Sequence, residues 1–163
     1  FVQHVLQPLE LHDVDPALVI IEVTESALLD DLGGASVKLQ QLRDRGIRVA
    51  IDDFGSGYTS LALLRSLPVD VLKIDRSFTA SAMVDHHEES IVKLIIDTGH
   101  LLGATITAEG IESELEALKL THLGSDALQG FHYARPRPAD EIEFPGAVPG
   151  AAPGALPSAL PAS

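Results

Sequence analysis

Ile47-Arg48-Val49-Ala50-Ile51-Asp52 is a short, β-branched apolar run that follows a glycine and ends on two adjacent carboxylates, Asp52 and Asp53. The same design recurs on both sides of it. Upstream stands Leu18-Val19-Ile20-Ile21-Glu22-Val23-Thr24. Downstream come Asp70-Val71-Leu72-Lys73-Ile74-Asp75, then Ala104-Thr105-Ile106-Thr107-Ala108-Glu109, then the shorter Ser125–Gln129. Runs of this length and composition read as strands. Between them the spacing predicts helices over Phe1–Leu11, Gly34–Arg45, Thr59–Ser66 and His86–Leu102, the last with Ile91, Leu94, Ile95 and Thr98 at helical spacing. Gly46 and Gly103 end two of these, Pro68 closes the short one, and Ser113 caps a further helix over Glu114–His122.

Strands alternating with helices imply a parallel α/β architecture, either an open doubly wound sheet or a (β/α)8 barrel. Each run ends, at its C-terminal edge, in polar or ionisable groups: Glu22, Asp52 and Asp53, Lys73 and Asp75, Glu109, Gln129. A barrel concentrates its chemistry at that edge and draws it from several strands. An open sheet uses one switch point and a glycine-rich loop after its first strand, and no such loop is present. About five strands are legible where a closed barrel has eight. The expectation is a TIM-like (β/α)8 barrel present as an N-terminally truncated portion of about five β/α units, in a chain that opens on Phe1 rather than Met.

The remaining composition narrows the function. Of 163 residues, 24 are acidic and 11 basic, a net charge of −13, which argues against coating DNA or RNA. A phosphate-containing substrate stays possible, because bound divalent cations reverse the local charge of a carboxylate-rich site. The absence of cysteine excludes disulfides, thiolate metal sites and cysteine nucleophiles. No apolar run approaches the ~20 residues of a membrane span, and no signal peptide is visible. From Pro145 to Ser163 the chain is Pro, Gly, Ala, Ser and Leu without charge or period. That composition reads as a disordered tail, 145–163, after a folded part of 1–144.

If the strand ends face one barrel mouth, Glu22, Asp52, Asp53, Lys73, Glu109 and Gln129 converge there. Four carboxylates in one mouth repel one another unless cations lie between them. All-oxygen ligation suits hard ions such as Mg²⁺ or Mn²⁺. The adjacent pair Asp52 and Asp53 can serve two neighbouring metals, a layout used in phosphoryl displacement. Lys73 could orient or activate the attacking water or stabilise phosphate charge. Each residue also has a plain reading: a solvated strand end for Glu22, a salt-bridge partner for Lys73, a helix cap for Asp75, a turn for Glu109-Gly110. The repetition at one edge is what favours chemistry. Asp53–Ser60, with two glycines, reads as a lid or as an ordinary βα connection. The seven histidines lack metal-ligand spacing.

Five segments resemble motifs of the EAL family of cyclic di-GMP phosphodiesterases. They are Ile21-Glu22-Val23-Thr24-Glu25-Ser26, Ile51-Asp52-Asp53-Phe54-Gly55-Ser56-Gly57-Tyr58-Thr59-Ser60-Leu61, Leu72-Lys73-Ile74-Asp75-Arg76-Ser77-Phe78, Ala108-Glu109-Gly110-Ile111-Glu112-Ser113, and Gln129-Gly130-Phe131 through Arg135-Pro136. Five motifs in order across roughly 18–136 make a specific match. The resemblance implies a (β/α)8-type barrel that hydrolyses cyclic di-GMP to the linear dinucleotide with Mg²⁺ or Mn²⁺. By position it implies Glu22 and Asp52 on one metal, Asp52 and Asp53 on a second, and Lys73 on the nucleophilic water. Glu109 would complete the second metal's surroundings, and Gln129 would contact water or substrate. Glu25 would anchor the Asp53–Leu61 loop, with Asp75 and Glu112 in support.

The family's Glu-Ala-Leu segment, with its metal-ligating Glu, is not in its place; the Ala-Leu dipeptides, such as Ala27-Leu28, follow the wrong residues or sit elsewhere. A following Asn ligand is likewise expected upstream of Phe1. The expectation is therefore a piece of an active domain, inactive by itself. A homodimer, upstream sensory or diguanylate cyclase domains and a cytoplasmic location, with membrane anchoring through those upstream domains left open, also follow from the resemblance. The alternatives are a receptor that binds cyclic di-GMP without cleaving it, or an unrelated metal-dependent barrel enzyme.

Overall fold

The computed structural model describes residues 1–30, 32–55 and 65–142. The order is α1 (Val2–Leu11), a 3-10 turn (Pro16–Leu18), β1 (Ile20–Thr24), α2 (Glu25–Asp30), α3 (Leu32–Arg43) and β2 (Arg48–Phe54). There follow β3 (Val71–Ile74), α4 (Arg76–Ser81), α5 (His86–Leu101), β4 (Thr105–Ala108), α6 (Glu114–Leu123), β5 (Ala127–Leu128) and a closing 3-10 turn (Ala139–Glu141). The five strands form one sheet in the order β1-β2-β3-β4-β5, with every pairing parallel. Strand order that never reverses is the order of a barrel wall; a doubly wound sheet turns back at a switch point. The α/β class and the five parallel strands therefore stand as the sequence implies.

Two helices, α2 and α4, are additions to the sequence reading. Each has six residues, fewer than two turns, so neither shows an apolar period. β1 begins at Ile20 rather than Leu18, because Asp15 caps a 3-10 turn over Pro16–Leu18 by accepting from the Ala17 N–H at 2.9 Å. The expected helix over Thr59–Ser66 lies largely outside the described residues, as does the tail 145–163. Among the described residues no helix is long and apolar enough to cross a membrane.

The two faces of the sheet differ in chemistry. Val49, Ile51, Leu72, Ile74, Ile106 and Ala108 pack with Val92 and Ile96 of α5 and Leu120 and Leu123 of α6 into the main core. A second cluster of Leu6, Leu42 and Ile47, with Val19 and Ile21 against it, seats α1 and α3 on β1. The alternate residues face the other way, and that face carries the site.

At the N-terminal edge of the sheet one device appears twice. Asp70, just before β3, accepts from the Val49 N–H at 2.9 Å and takes a bidentate pair from Arg43 at the end of α3. Asp126, just before β5, accepts from the Ile106 N–H at 2.7 Å and pairs with His100 in the last turn of α5 at 2.8 Å. Each carboxylate closes a backbone donor of the neighbouring strand and ties the preceding helix to it. The Ile106 amide first, and His100 after it, hold the Asp126 carboxyl below the usual carboxylate range despite partial burial.

A folded-state value below the unfolded one contributes stability above the unfolded value of about 4, lost as pH falls through the folded value. Asp126→Asn keeps an acceptor and removes the charge. Its deficit in urea unfolding free energy should be full at pH 6 and shrink steadily below about pH 4; a deficit independent of pH between 6 and 2 would show that the charge at Asp126 does not stabilise the fold.

Candidate functional site

Side chains alternate along a strand, so Glu22, Asp52 and Lys73 point to the face opposite the helices while their neighbours enter the core. Glu22 pairs with Ala50 and Thr24 with Asp52 in the β1–β2 register. Ala50 pairs with Val71 across β2–β3, and Lys73 with Thr107 across β3–β4. Small residues beside the long ones leave room for the lysine to lie across the sheet. Lys73 Nζ lies 2.9 Å from Glu22 Oε2, 2.9 Å from Asp52 Oδ1 and 2.7 Å from Glu109 Oε1. Four strands thus deliver one group each to a single point.

The lysine side chain is 6% exposed, and Glu22, Asp52 and Glu109 are 49%, 24% and 17% exposed. The cation is at the bottom and the carboxylates open upward from it. Burial alone would pull the Lys73 ammonium down, but Glu109, Glu22 and Asp52 together outweigh it and hold Lys73 above the ordinary lysine range. Lys73 is a fixed cation at neutral pH. Glu109 moves above the usual carboxylate range, because burial and the charges of Asp52 and Glu22 exceed the pull of Lys73.

Two consecutive aspartates on a regular strand would point to opposite faces. The structure solves this with a β-bulge. Ile51 pairs with Leu72 and Phe54 with Ile74, so three steps of β2 oppose two of β3. The extra residue falls at Asp52–Asp53, and Asp53 takes φ +56°, a left-handed conformation that non-glycine residues seldom adopt. The bulge re-aims Asp53, and one oxygen each of Asp52, Asp53 and Glu109 then lies within 4.8 Å of the others.

This oxygen set fits a hard divalent cation. Asp52 Oδ1 supports the fit: it is buried, and beyond the Lys73 ammonium at 2.9 Å it has no hydrogen-bond donor among the described residues. A carboxylate oxygen has lone pairs for more than one partner, and an ion site is one of the recognised reasons for a buried polar atom short of donors.

Supporting residues surround this centre. Glu25, the first residue of α2, is 3% exposed, and its Oε2 accepts from the Gly55 N–H at 3.2 Å. That bond ties the start of α2 to the residue that leaves the bulge. Gly55 has φ +99°, and a Cβ there would fall 2.6 Å from the Phe78 ring, so glycine is required on both counts. Residues 56–60 of the expected lid lie outside the described residues.

Gln129 follows β5 at the same edge as Glu109; its N–H donates to Ala108 O at 2.9 Å and its side chain is exposed. It is not among the groups on Lys73. Neither are Asp75 and Glu112. Asp75 caps α4 through the Ser77 N–H at 2.9 Å. Glu112 has an exposed side chain, and its N–H donates to Glu116 Oε2 at 2.7 Å. Glu116-Ala117-Leu118 on α6 spells Glu-Ala-Leu, but Glu116 closes the capping box with Ser113 and, among the described residues, lies in no carboxylate cluster with the site.

Two features escape a reading of the sequence. The bulge is one, although adjacent aspartates at a strand end are its only local sign. The other is Thr79 on α4, 2% exposed, whose hydroxyl reaches the Glu109 carbonyl at 2.8 Å.

The sequence model of the EAL domain matches residues 1–136. The bifunctional diguanylate cyclase/cyclic di-GMP phosphodiesterase MucR of Pseudomonas aeruginosa is 43% identical over 131 residues, 80% of this chain and 19% of MucR. Among solved structures, the PaMucR phosphodiesterase in complex with c-di-GMP superposes with a TM-score of 0.80 at 42% identity, covering 85% of this chain and 56% of that one. Klebsiella pneumoniae BlrP1, with manganese and cy-diGMP, superposes with a TM-score of 0.77 at 32% identity over 83% of this chain and 34% of its own. The chain thus spans about a fifth of the curated relative and little more than half of the first of these structures.

Replacing the buried cation tests the arrangement directly. Lys73→Met should lower the unfolding free energy of the metal-free protein at pH 7 by about 3 kcal/mol, since three carboxylates lose their counter-ion. A loss below about 0.5 kcal/mol, the range of an exposed ion pair, would mean that the carboxylates do not depend on Lys73.

Proposed function

The chain belongs to the EAL domain family, and from that premise we propose that a protein carrying it hydrolyses cyclic di-GMP to the linear dinucleotide with divalent metal ions. The observation that carries the reading is the meeting of Glu22, Asp52 and Glu109 on Lys73, with Asp53 turned toward them by the bulge. Support also comes from the relatives: MucR is named a cyclic di-GMP phosphodiesterase, and the BlrP1 structure holds manganese with cy-diGMP.

In this reading Glu22 and Asp52 hold one cation, Asp52 and Asp53 a second, and Glu109 completes the surroundings of the second. Mg²⁺ or Mn²⁺ bound there would supply charge neutralisation at the phosphodiester and an acidified water. Lys73, kept as an ammonium, donates hydrogen bonds to the attacking water or to a phosphate oxygen; as long as it carries its proton it orients rather than deprotonates. Gln129, exposed at the rim, contacts substrate or bound water. Glu25 fixes the exit of the bulge through Gly55, and so holds Asp53 in its left-handed conformation. Asp75 and Glu112 act at a distance, the first by capping α4 and the second through the turn after Glu109. Residues 1–144 form the C-terminal part of the domain assigned this activity and are inactive by themselves. A homodimer, upstream sensory or cyclase domains and a cytoplasmic setting belong to the same proposal.

The test is incubation of cyclic di-GMP, with Mg²⁺ or Mn²⁺, with a protein that carries this chain within a complete domain. The linear dinucleotide should appear only with metal, and Asp52→Asn should slow it by more than the ~100-fold reached by outer-shell losses. A folded protein that binds cyclic di-GMP without turnover would replace the enzyme reading with that of a receptor.

A further inference from the structure

Glu109 sits where β4 has ended. Its N–H still donates to Ile74 O at 3.1 Å, the last rung toward β3, while the next β5 rung goes from Gln129 N–H to Ala108 O. Among the described residues no backbone N–H reaches the Glu109 carbonyl. The Thr79 hydroxyl does, at 2.8 Å, from a position 2% exposed. The same hydroxyl is 2.9 Å from Arg76 O. It has one proton to give. Arg76 O, at the start of α4, has the helix's own i→i+4 donor available, whereas Glu109 O depends on Thr79.

A second contact brings the same two segments together. Gly110 has φ +71°, and a Cβ there would fall 2.3 Å from the Arg76 Cβ. The absence of a side chain lets the peptide after Glu109 lie on the first turn of α4. Both backbone groups of Glu109 are therefore held by one stretch, Ile74 through Thr79, which also carries Lys73 just ahead of it. The 2.7 Å approach of Glu109 Oε1 to Lys73 Nζ is thus set through the backbone as well as by charge.

We propose that Thr79 is a positioning residue for the candidate metal site, fixing Glu109 through its carbonyl so that the carboxylate stays within reach of Asp52 and Asp53. The proposal rests on the function assigned above and deepens it. A threonine in a short helix has an ordinary structural role, back-bonding to the carbonyl three residues earlier. Such a role would cost stability alone, whereas a positioning role shows in metal affinity.

The experiment compares wild type, Thr79→Val and Thr79→Ser in a protein carrying this chain within a complete domain. Mn²⁺ binding is followed by electron paramagnetic resonance, kcat and KM are measured for cyclic di-GMP at saturating Mn²⁺, and Tm is measured without metal. Val removes the hydroxyl at constant shape. It should weaken Mn²⁺ binding by about 10-fold, the size of an outer-shell loss, and lower kcat with little change in KM. Ser should restore both to near wild type. A Val variant with a lower Tm but unchanged Mn²⁺ affinity and kcat would overturn the proposal and leave Thr79 a structural residue. Should Val not fold, Thr79→Ala, which drops the hydroxyl without added bulk, carries the same comparison. Wild type that binds Mn²⁺ but turns over no cyclic di-GMP would end the phosphodiesterase reading while the Mn²⁺ comparison still decides Thr79. Wild type that binds no Mn²⁺ would overturn both.

Discussion

A lysine ammonium with 6% of its side chain exposed is tolerable only if the protein replaces the water it has lost. Here three carboxylates do so from three other strands, at 2.7–2.9 Å. The dependence runs in both directions. Without Lys73, Glu22, Asp52 and Glu109 would repel one another across a narrow space; without them, burial would pull the lysine below its ordinary range. The strand order, the register and the small residues at Ala50 and Thr107 all serve to let these four groups meet. Glu109 shows the tension that remains, since its carboxyl is pushed up by burial and by its acidic neighbours even with the ammonium beside it. Partial charge balance of this kind leaves a site that gains from further positive charge.

The two edges of the sheet divide the work. At the N-terminal edge Asp70 and Asp126 each accept a backbone N–H and pair with a base from the preceding helix. The partners of both carboxylates are internal. At the C-terminal edge three carboxylates share one ammonium, and Asp53 is held beside them in a left-handed conformation. Internal ion pairs close one edge and the carboxylate cluster occupies the other, as expected of a barrel wall. α4 links the strands of the active edge, with Phe78 against Gly55 on one side and Thr79 against Glu109 on the other.

Much of this was legible in the sequence because parallel strands with one buried face leave strong marks. The β-branched runs from Leu18, Ile47, Asp70, Ala104 and Ser125 match the strands to within two residues at each end, and Gly46, Gly103 and Ser113 mark helix ends. The convergence of Glu22, Asp52, Lys73 and Glu109 followed from a single rule, that one edge of a parallel sheet collects strand-end residues. What stayed hidden depends on contacts without a period. The six-residue helices α2 and α4 are too short to show one. The bulge between Ile51 and Phe54 is a register event between two strands, and adjacent aspartates alone do not reveal which of them turns. Thr79 looks like any helix threonine until the Glu109 carbonyl is placed beside it. Asp75 and Glu112 flank the motifs of the site, and the first caps α4 while the second donates its N–H to Glu116 at the start of α6.

The central claim is that these carboxylates form a divalent-cation site, and anomalous diffraction from crystals grown with Mn²⁺ tests it most directly. Manganese peaks within about 2.0–2.4 Å of oxygens of Asp52 and Asp53, the range expected of hard divalent cations, with Glu109 in the surrounding shell, are the result expected. Crystals that show no manganese at these oxygens in millimolar Mn²⁺, with Lys73 still bridging Glu22, Asp52 and Glu109, would contradict it.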